Sequence, residues 1–246
     1  IEKEQWLRVN GVVGIFPANS GDDDDIDIYT HESRGEVLAV VHTLRRQVKG
    51  AGGDVGESAG VDEYLALADF IAPKESGVKD YLGGFAVTAG LGIEAVLKKF
   101  EKENDDYSII MIKALADRLA EAFAERLHEM VRKELWGYAP DERLEVEELF
   151  RGKYRGIRPA PGYPSCPDHT EKWGLFNWLQ VEERVSIGLS ESYMMVPGAS
   201  VSGYYFSHPG AQYFPVGKVA KDQVDDYAQR KGMAVQEIEK WLSLAK

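Results

Sequence analysis

Short runs in which apolar and polar residues alternate lie near both ends of the chain, and they predict β-strands. Residues 6–16 and 26–29 flank an acidic turn and are expected to form a hairpin, with a further strand at 36–41. Two later β-rich runs, 198–207 and 212–219, are expected to pair through a Ser-His-Pro-Gly turn. The pattern therefore predicts antiparallel strand pairs early and late in the chain.

A period near 3.6 residues marks the middle of the chain, most clearly at 107–135, as expected of an amphipathic helix. Its predicted apolar face comprises Ile112, Leu115, Leu119, Ala122, Phe123, Leu127 and Met130. Asp117, Glu121 and His128 fall on the opposite, polar side. Shorter helices are expected at about 91–103, 142–150, 171–183, 221–231 and 234–244. Early and late strands, central helices and no βαβ alternation predict a single α+β domain around an antiparallel sheet.

Composition and charge narrow the class of protein. The chain has 246 residues, 44% hydrophobic and 28% charged, as in ordinary globular proteins. Its net charge of −12 opposes binding to a nucleic-acid backbone, which requires a basic face. No apolar run approaches the ~20 residues that cross a membrane, and no secretory signal is present. The single Cys166 cannot form an internal disulfide, which fits a cytoplasmic location. Because the chain begins at Ile1 without an initiator Met, we expect an N-terminally truncated fragment.

Several segments come close to known site motifs but lack a required residue. Residues 90–95 fit a dinucleotide-binding GxGxxA turn, yet the parallel strand that this motif needs does not follow. The loop at 51–58 carries Glu57 where a phosphate-binding loop has lysine. Residues 128–132 end in arginine where a zinc protease motif has histidine, and the acidic run at 22–27 lacks the calcium-loop glycine and glutamate. None of these segments is expected to form a site.

The segment RPAPGYPSCPDHTEK at 158–172 combines closely spaced prolines with charged and aromatic residues, a composition that folding alone does not require. Each proline restricts its own backbone angles and those of the residue before it. The loop is therefore stiff before any ligand arrives and loses little chain entropy on binding. Arg158 offers a planar fork suited to a carboxylate, and Tyr163 offers a face on which a heterocycle can stack. A ligand-binding loop and a rigid connector over one end of the sheet both remain open.

A second cluster begins with the small residues of 197–203, which permit close approach of another chain segment or a ligand. Aromatic residues follow at 204–206 and at Tyr213-Phe214. Aromatic rings on strands usually face the core, but adjacent ones point to opposite faces, so some ring of each group is expected to be available.

At this point the sequence resembles the C-terminal activation domain of cobalamin-dependent methionine synthase, a family that binds S-adenosylmethionine (AdoMet). The matching stretches are GVVGIFPA at 11–18, FIAP at 70–73, KALADRLAEAFAE at 113–125, GIRPAPGYP at 156–164, HTEK at 169–172, ASVSG at 199–203 and YFSH at 205–208.

The resemblance implies a C-shaped α+β domain around a twisted antiparallel sheet with flanking helices. It implies that the domain docks over the cobalamin-binding module when cobalamin has been oxidised to the inert Co(II) form. AdoMet then donates its methyl group, and a flavodoxin or a diflavin reductase supplies the electron. Zinc is expected only in the homocysteine module, which this chain does not contain. The expected function is reactivation of a methyltransferase of methionine biosynthesis, and the fragment alone is not expected to turn over.

Carried onto this chain, the resemblance implies that Arg158 binds the methionine carboxylate of AdoMet. Backbone groups at Ala160 and Gly162 are expected to contact the adenosyl portion, with Tyr163 beside it and toward the corrin. Tyr213 and Phe214 occupy the family's aromatic binding pair, although Phe214 lacks a hydroxyl that many relatives have.

On the long helix, the resemblance implies that Glu121 lies near the sulfonium and that Asp117 engages the cobalamin module, with Tyr163 and His169. A further acidic AdoMet ligand of the family falls upstream of Gly11 and before the start of this chain. The competing hypothesis is an interaction domain that docks on a partner without binding a small molecule, as the acidic surface and the missing N-terminal part suggest.

Overall fold

An antiparallel sheet of five strands lies at the centre of the structure, a computed structural model that describes residues 6–47 and 64–243. The five strands are β1 (Arg8–Ser20), β2 (Asp25–Tyr29), β3 (Val37–His42), β4 (Asp80–Leu91) and β7 (Ser200–Tyr205), and β5 (Gly188–Leu189) pairs with β6 (Met195–Val196) in a small separate sheet. The order in the main sheet is β3-β2-β1-β4-β7. The predicted α+β class with an antiparallel sheet is confirmed. The loop expected at 50–60 lies outside the described residues.

Helices cover the sheet and follow the sequence-based expectations with two interruptions. They are α1 (Ile93–Lys102), α2 (Asp106–Met130), α3 (Val146–Phe150), α4 (Glu171–Leu179), α5 (Val181–Val185), α6 (Lys221–Lys231) and α7 (Val235–Ser243). The long helix changes to a π-helical turn at Val131–Leu135, and the helix expected at 171–183 is broken at Gln180, whose φ is 53°. Across the described residues, no helix combines the length and apolar character needed to cross a membrane.

The two faces of β4 and β7 bury different sets of side chains. Phe85 and Tyr205 point toward α2, where they pack with Ala124 and Leu127. The side chains that alternate with them, such as Tyr204, point to the opposite face and pack with α4, α5 and the C-terminal helices. Val131 and Trp136, which follow α2, extend this cover. Because α2 crosses these strands, its charged edge lies beside the end of β7, where Glu125 meets Arg158.

The buried stripe of α2 is rotated from the one that the hydrophobic pattern predicts. Its fully buried positions include Ala116, Ala120 and Ala124, whereas Leu119 is 43% exposed. Small side chains four residues apart let the helix lie close to the sheet, so the larger Leu115 and Leu119 lie at its margins. His128, expected on the polar side, is fully buried. That expectation was wrong because the alanine stripe, and not the most hydrophobic face, packs against the sheet, and His128 continues this stripe four residues after Ala124.

The second late hairpin strand, expected at 212–219, does not form. Residues 157–159 occupy the edge of β7 where that strand would pair. Ile157 and Phe206 exchange two backbone hydrogen bonds of 3.0 Å, and the Tyr204 amide donates to the Pro159 carbonyl at 2.9 Å. The segment after the Ser-His-Pro-Gly turn instead packs beneath residues 160–166.

Gly84 tests how closely α4 packs against the sheet. A Cβ atom at Gly84 would collide with the Trp178 ring and lie 2.9 Å from Leu175 Cδ1. We expect Gly84→Ala to lower the free energy of unfolding by about 1–3 kcal/mol, the usual effect of overpacking a core. Gly174→Ala, in open space within α4, should be neutral or stabilising by about 0.5–1 kcal/mol. Urea denaturation of both variants measures the difference, and equal stabilities would contradict it.

Candidate functional site

The proline loop, defined here as residues 156–169, runs along the free edge of β7 and is held there by backbone hydrogen bonds. A Cβ atom at Gly203 would lie 2.7 Å from the Pro159 carbonyl oxygen, so glycine is required for the close approach. The loop turns at Gly156 and Gly162, whose φ values of 81° and 95° favour glycine. Its path is therefore set by the sheet as well as by its prolines.

A tight turn shapes the tip of the proline loop. The Gly162 amide donates to the Cys166 carbonyl at 2.7 Å, and the Tyr163 amide donates to the Ala160 carbonyl at 3.2 Å. Among the described residues, the Ala160 amide and the Gly162 carbonyl have no hydrogen-bond partner. Tyr163 is 64% exposed and projects from the turn. The tip thus presents unpaired backbone groups, among them the Ala160 amide and the Gly162 carbonyl, and an aromatic face.

Arg158 leaves the proline loop toward α2 and meets Glu125. Its Nη2 atom is 2.6 Å from Glu125 Oε2, and the side chain is only 19% exposed. Burial alone would lower the pKa of Arg158, but Glu125 and the neighbouring Tyr154 and Tyr213 more than offset this, so the pKa is raised. The guanidinium is therefore cationic. Separately, the backbone amide of Arg158 donates a hydrogen bond to the Tyr213 hydroxyl oxygen at 2.9 Å.

Buried aromatic and charged side chains form a wall behind Arg158. The His128 ring stacks on Tyr205 at 4.9 Å between centroids and meets the edge of Tyr154 at 4.8 Å. Arg132 is fully buried and pairs with Glu142 at 2.7 Å. Burial, with Arg132 and Arg158 nearby, lowers the pKa of His128 well below its usual value. His128 is therefore a neutral ring that orders this wall.

The two predicted carboxylates of α2 lie on its exposed edge. Asp117 and Glu121 precede Glu125 at intervals of four residues, so the three share one stripe that leads to Arg158. The sequence analysis named Asp117 and Glu121 and missed Glu125, although the four-residue spacing places Glu125 on the same face of the helix. It also missed His128 and Tyr154, because nothing in their local sequence shows that they meet.

The predicted aromatic pair divides between the loop and the core. Tyr213 is half exposed and reaches the Arg158 amide, whereas Phe214 is buried against Phe70 at 6.3 Å between ring centroids. The Phe214 amide and carbonyl both bond the Ser165 hydroxyl, at 3.1 and 2.5 Å. Phe214 thus holds the tip of the proline loop in place, and Tyr213 faces Arg158.

The far end of the proline loop is tied to the C-terminal helices. Lys231 of α6 is 2.6 Å from Asp168 Oδ2 and 2.5 Å from Glu171 Oε1. His169 lies over Gly162, where a Cβ atom would be 2.8 Å from its Nε2, and its Nδ1 is 3.0 Å from Lys172 Nζ. Burial and the Lys172 charge lower the pKa of His169.

Neither thiol nor metal chemistry is indicated around the loop. Burial raises the pKa of Cys166 well above its usual value, so its thiol stays protonated. In residues 6–47 and 64–243, no group of three or more His, Cys, Asp or Glu side chains is arranged to hold a metal ion. What the loop offers is a cation, aromatic rings and backbone groups, which suit binding and orientation of an organic ligand.

Comparison with known proteins agrees with this geometry. Residues 1–232 match the family described as vitamin B12 dependent methionine synthase, activation domain. A solved structure, the MetH reactivation domain bound to AdoHcy, shares 54% sequence identity with this chain and superposes with a TM-score of 0.91. The match covers 99% of this chain and 72% of that one. The resemblance inferred from the sequence is confirmed.

The buried neutral His128 predicts an acid-sensitive fold. Because its pKa is lower in the folded than in the unfolded chain, its contribution to stability is present above about pH 6.5 and is lost as the pH falls. We expect the free energy of unfolding to fall by up to about 1.4 kcal/mol per pH unit between about pH 6.5 and 5 from this group. His128→Phe should flatten that slope, and His31→Gln, at an exposed position, should not. Denaturant unfolding across this range measures both, and equal slopes in the wild type and His128→Phe would contradict the prediction.

Proposed function

The chain belongs to the activation-domain family of vitamin B12-dependent methionine synthase, and from this we propose that it binds AdoMet and presents the methyl group for reactivation of that enzyme. The observation that carries the proposal is Arg158, a largely buried guanidinium on a stiff loop, whose Nε has no hydrogen-bond partner among the described residues. Such an atom suits the carboxylate of an amino-acid ligand. That the MetH reactivation domain has been solved with AdoHcy bound supports the choice of ligand.

The remaining contacts are proposed from the positions of the predicted residues. The unpaired Ala160 amide and Gly162 carbonyl suit the polar edges of an adenosyl group, and the exposed ring of Tyr163 offers a stacking surface. Tyr213 would border the site through its hydroxyl, while Phe214 would act from the core by holding Ser165. Glu121 would place a carboxylate near the sulfonium, where opposite charges attract.

The work of the domain is orientation. A sulfonium methyl is already a strong electrophile, so no general base or nucleophile is needed from this chain. The nucleophile for the methyl group would come from cobalamin held by another module of the enzyme, once an external donor had reduced it by one electron. This chain's residues would hold the sulfonium in line with that nucleophile, and the stiffness of the proline loop limits the entropy lost on binding. On this proposal the isolated chain binds AdoMet but does not turn over.

Docking is proposed to use the exposed residues around the same site. Asp117 and Tyr163 are exposed, and His169 lies directly behind the loop tip, so the three suit contact with the cobalamin module. The electron donor is proposed to be a flavodoxin or a diflavin reductase. On this proposal, the chain is part of a cytoplasmic methyltransferase that synthesises methionine.

Replacement of Arg158 tests the carboxylate contact. Hydrogen bonds to charged groups contribute about 1.5–3 kcal/mol, so Arg158→Ala should raise the Kd for AdoMet at least about tenfold. Arg151→Ala, which removes an exposed arginine seven residues earlier, should leave the Kd unchanged. Isothermal titration calorimetry gives both values. Unchanged affinity in Arg158→Ala would remove this residue from the site, and no heat with the wild type at millimolar AdoMet would favour the docking-only hypothesis.

Replacement of Asp117 separates docking from ligand binding. In the full-length enzyme, Asp117→Asn should slow reactivation severalfold, because the substitution removes a charge from the proposed contact with the cobalamin module. The Kd for AdoMet should stay the same, since Asp117 is exposed and lies two helical turns before Glu125, the partner of Arg158. Asp106→Asn, at the exposed start of α2, is the matched control. A loss of AdoMet affinity in Asp117→Asn would contradict this division of roles.

A further inference from the structure

We propose that Lys172 fixes the proton of His169 on Nε2, so that His169 presents a hydrogen-bond donor to the cobalamin module when the domain docks. Lys172 is then a positioning residue, because it is buried and acts through His169. The inference deepens the proposed function and rests on it, since the docking role of His169 belongs to that function. It is carried by a buried lysine for which the fold supplies no carboxylate.

Lys172 lies in the first turn of α4 and is a buried cation without an ion pair. Its residue is 7% exposed, and no carboxylate of the described residues forms an ion pair with it. The nearby carboxylates of Asp168 and Glu171 are both paired with Lys231. Burial of an unpaired charge costs free energy, and it lowers the pKa of Lys172. The hydrogen bonds that Lys172 makes therefore indicate why a lysine stands there.

Two acceptors surround the Lys172 amine. Its Nζ atom lies 3.0 Å from His169 Nδ1 and donates to the Tyr193 carbonyl oxygen at 3.2 Å. Tyr193 belongs to the turn between β5 and β6, where its own amide donates to the Ser190 carbonyl at 2.9 Å. The turn fixes the position of the Tyr193 carbonyl, and this contact holds the amine against the His169 ring.

The chemistry of the pair decides which ring nitrogen of His169 carries the proton. A charged lysine amine can only donate hydrogen bonds, so Nδ1 must accept with its lone pair. Burial and the Lys172 charge lower the pKa of His169, so at neutral pH the ring is uncharged and holds one proton. That proton is on Nε2, which makes this atom a hydrogen-bond donor.

The donor lies at the tip of the proline loop. The His169 ring covers Gly162, where a Cβ atom would be 2.3 Å from Cε1 and 2.8 Å from Nε2. Within the described part of the chain, Nε2 has no hydrogen-bond partner, and it is not among the occluded atoms. An accessible donor beside the exposed Tyr163 ring suits a carbonyl or carboxylate oxygen of the cobalamin module, and it does not suit a second donor.

The position of the proton can be measured by nitrogen NMR on this chain with isotope-labelled histidine. The proteins are the wild type, Lys172→Met and the control Lys218→Met, which removes an exposed lysine. A spectrum of His169→Gln identifies the His169 signals among those of the five histidines, and the amide spectrum shows whether each variant is folded.

We expect a single tautomer with the proton on Nε2 in the wild type and in Lys218→Met. Lys172→Met should show a mixture of both tautomers, because Nδ1 has lost its donor. A proton on Nδ1 in the wild type would overturn the inference, whatever the variants show. A tautomer population that Lys172→Met leaves unchanged would overturn it too.

Reactivation of the full-length enzyme tests whether Lys172 acts through His169. His169→Met cannot donate and should slow reactivation about two- to tenfold, as expected for one lost hydrogen bond, whereas His169→Gln keeps an N–H donor and should slow it less. Lys172→Met should slow reactivation by no more than His169→Met does. The double variant should be no slower than His169→Met, because Lys172 has nothing to position once His169 is gone.

The outcomes separate this inference from the proposed function. Additive effects in the double variant, or a loss of AdoMet affinity in Lys172→Met equal to its loss of reactivation, would show that Lys172 only supports the fold and would overturn the inference. Equal rates in His169→Met and the wild type would overturn it as well, while AdoMet-dependent reactivation by this domain would stand. A wild-type enzyme that AdoMet does not reactivate would reject the proposed function and this inference together.

Discussion

The pairing of residues 157–159 with the edge of β7 is the constraint on which the site depends. Two hydrogen bonds between Ile157 and Phe206 and one from Tyr204 to Pro159 fasten the proline loop to the sheet. Gly203 permits this approach, because any side chain there would collide with the loop backbone. Since α2 crosses the same strands, the attachment brings Arg158 directly beside the charged edge of that helix.

The other end of the loop is held by charge and not by sheet pairing. Lys231 bridges Asp168 and Glu171, and Asp168 also accepts hydrogen bonds from Thr170 and from the Tyr227 hydroxyl. These buried contacts connect the loop to α6, far along the chain. Fastened at both ends and stiffened by prolines between them, the loop is ordered before a ligand binds. A preordered site loses less conformational entropy on binding, which suits a domain whose task is to orient one methyl group.

Electrostatic balance runs through the whole site. The two arginines of the site each have a carboxylate partner, Arg132 with Glu142 and Arg158 with Glu125, and burial keeps the nearby His128 neutral. In such surroundings an added charge must bring its own counter-charge, because burial of an isolated charge is strongly unfavourable.

Local patterns were enough to predict the α+β class, most helices, the stiff loop and Arg158, since each depends on nearby residues. The family and its ligand were also recognisable from motifs in order along the chain. The late hairpin was predicted wrongly. Residues 157–159 and 212–219 could each pair with the same edge of β7, and local sequence does not show that residues 157–159 take that place. The burial of Ala116, Ala120 and Ala124 was missed for a similar reason. A hydrophobic pattern favours leucine at buried positions, and only the packed sheet requires small side chains there.

What the sequence by itself determined about this protein is therefore its fold class, its early strands and most of its helices, its family, and the stiffness of the proline loop. The tertiary structure decided which residues meet: Glu125 with Arg158, Phe214 with Ser165, and His128 with Tyr205. Such contacts join segments that are distant along the chain, and their formation depends on packing distances and charge balance that no local pattern records.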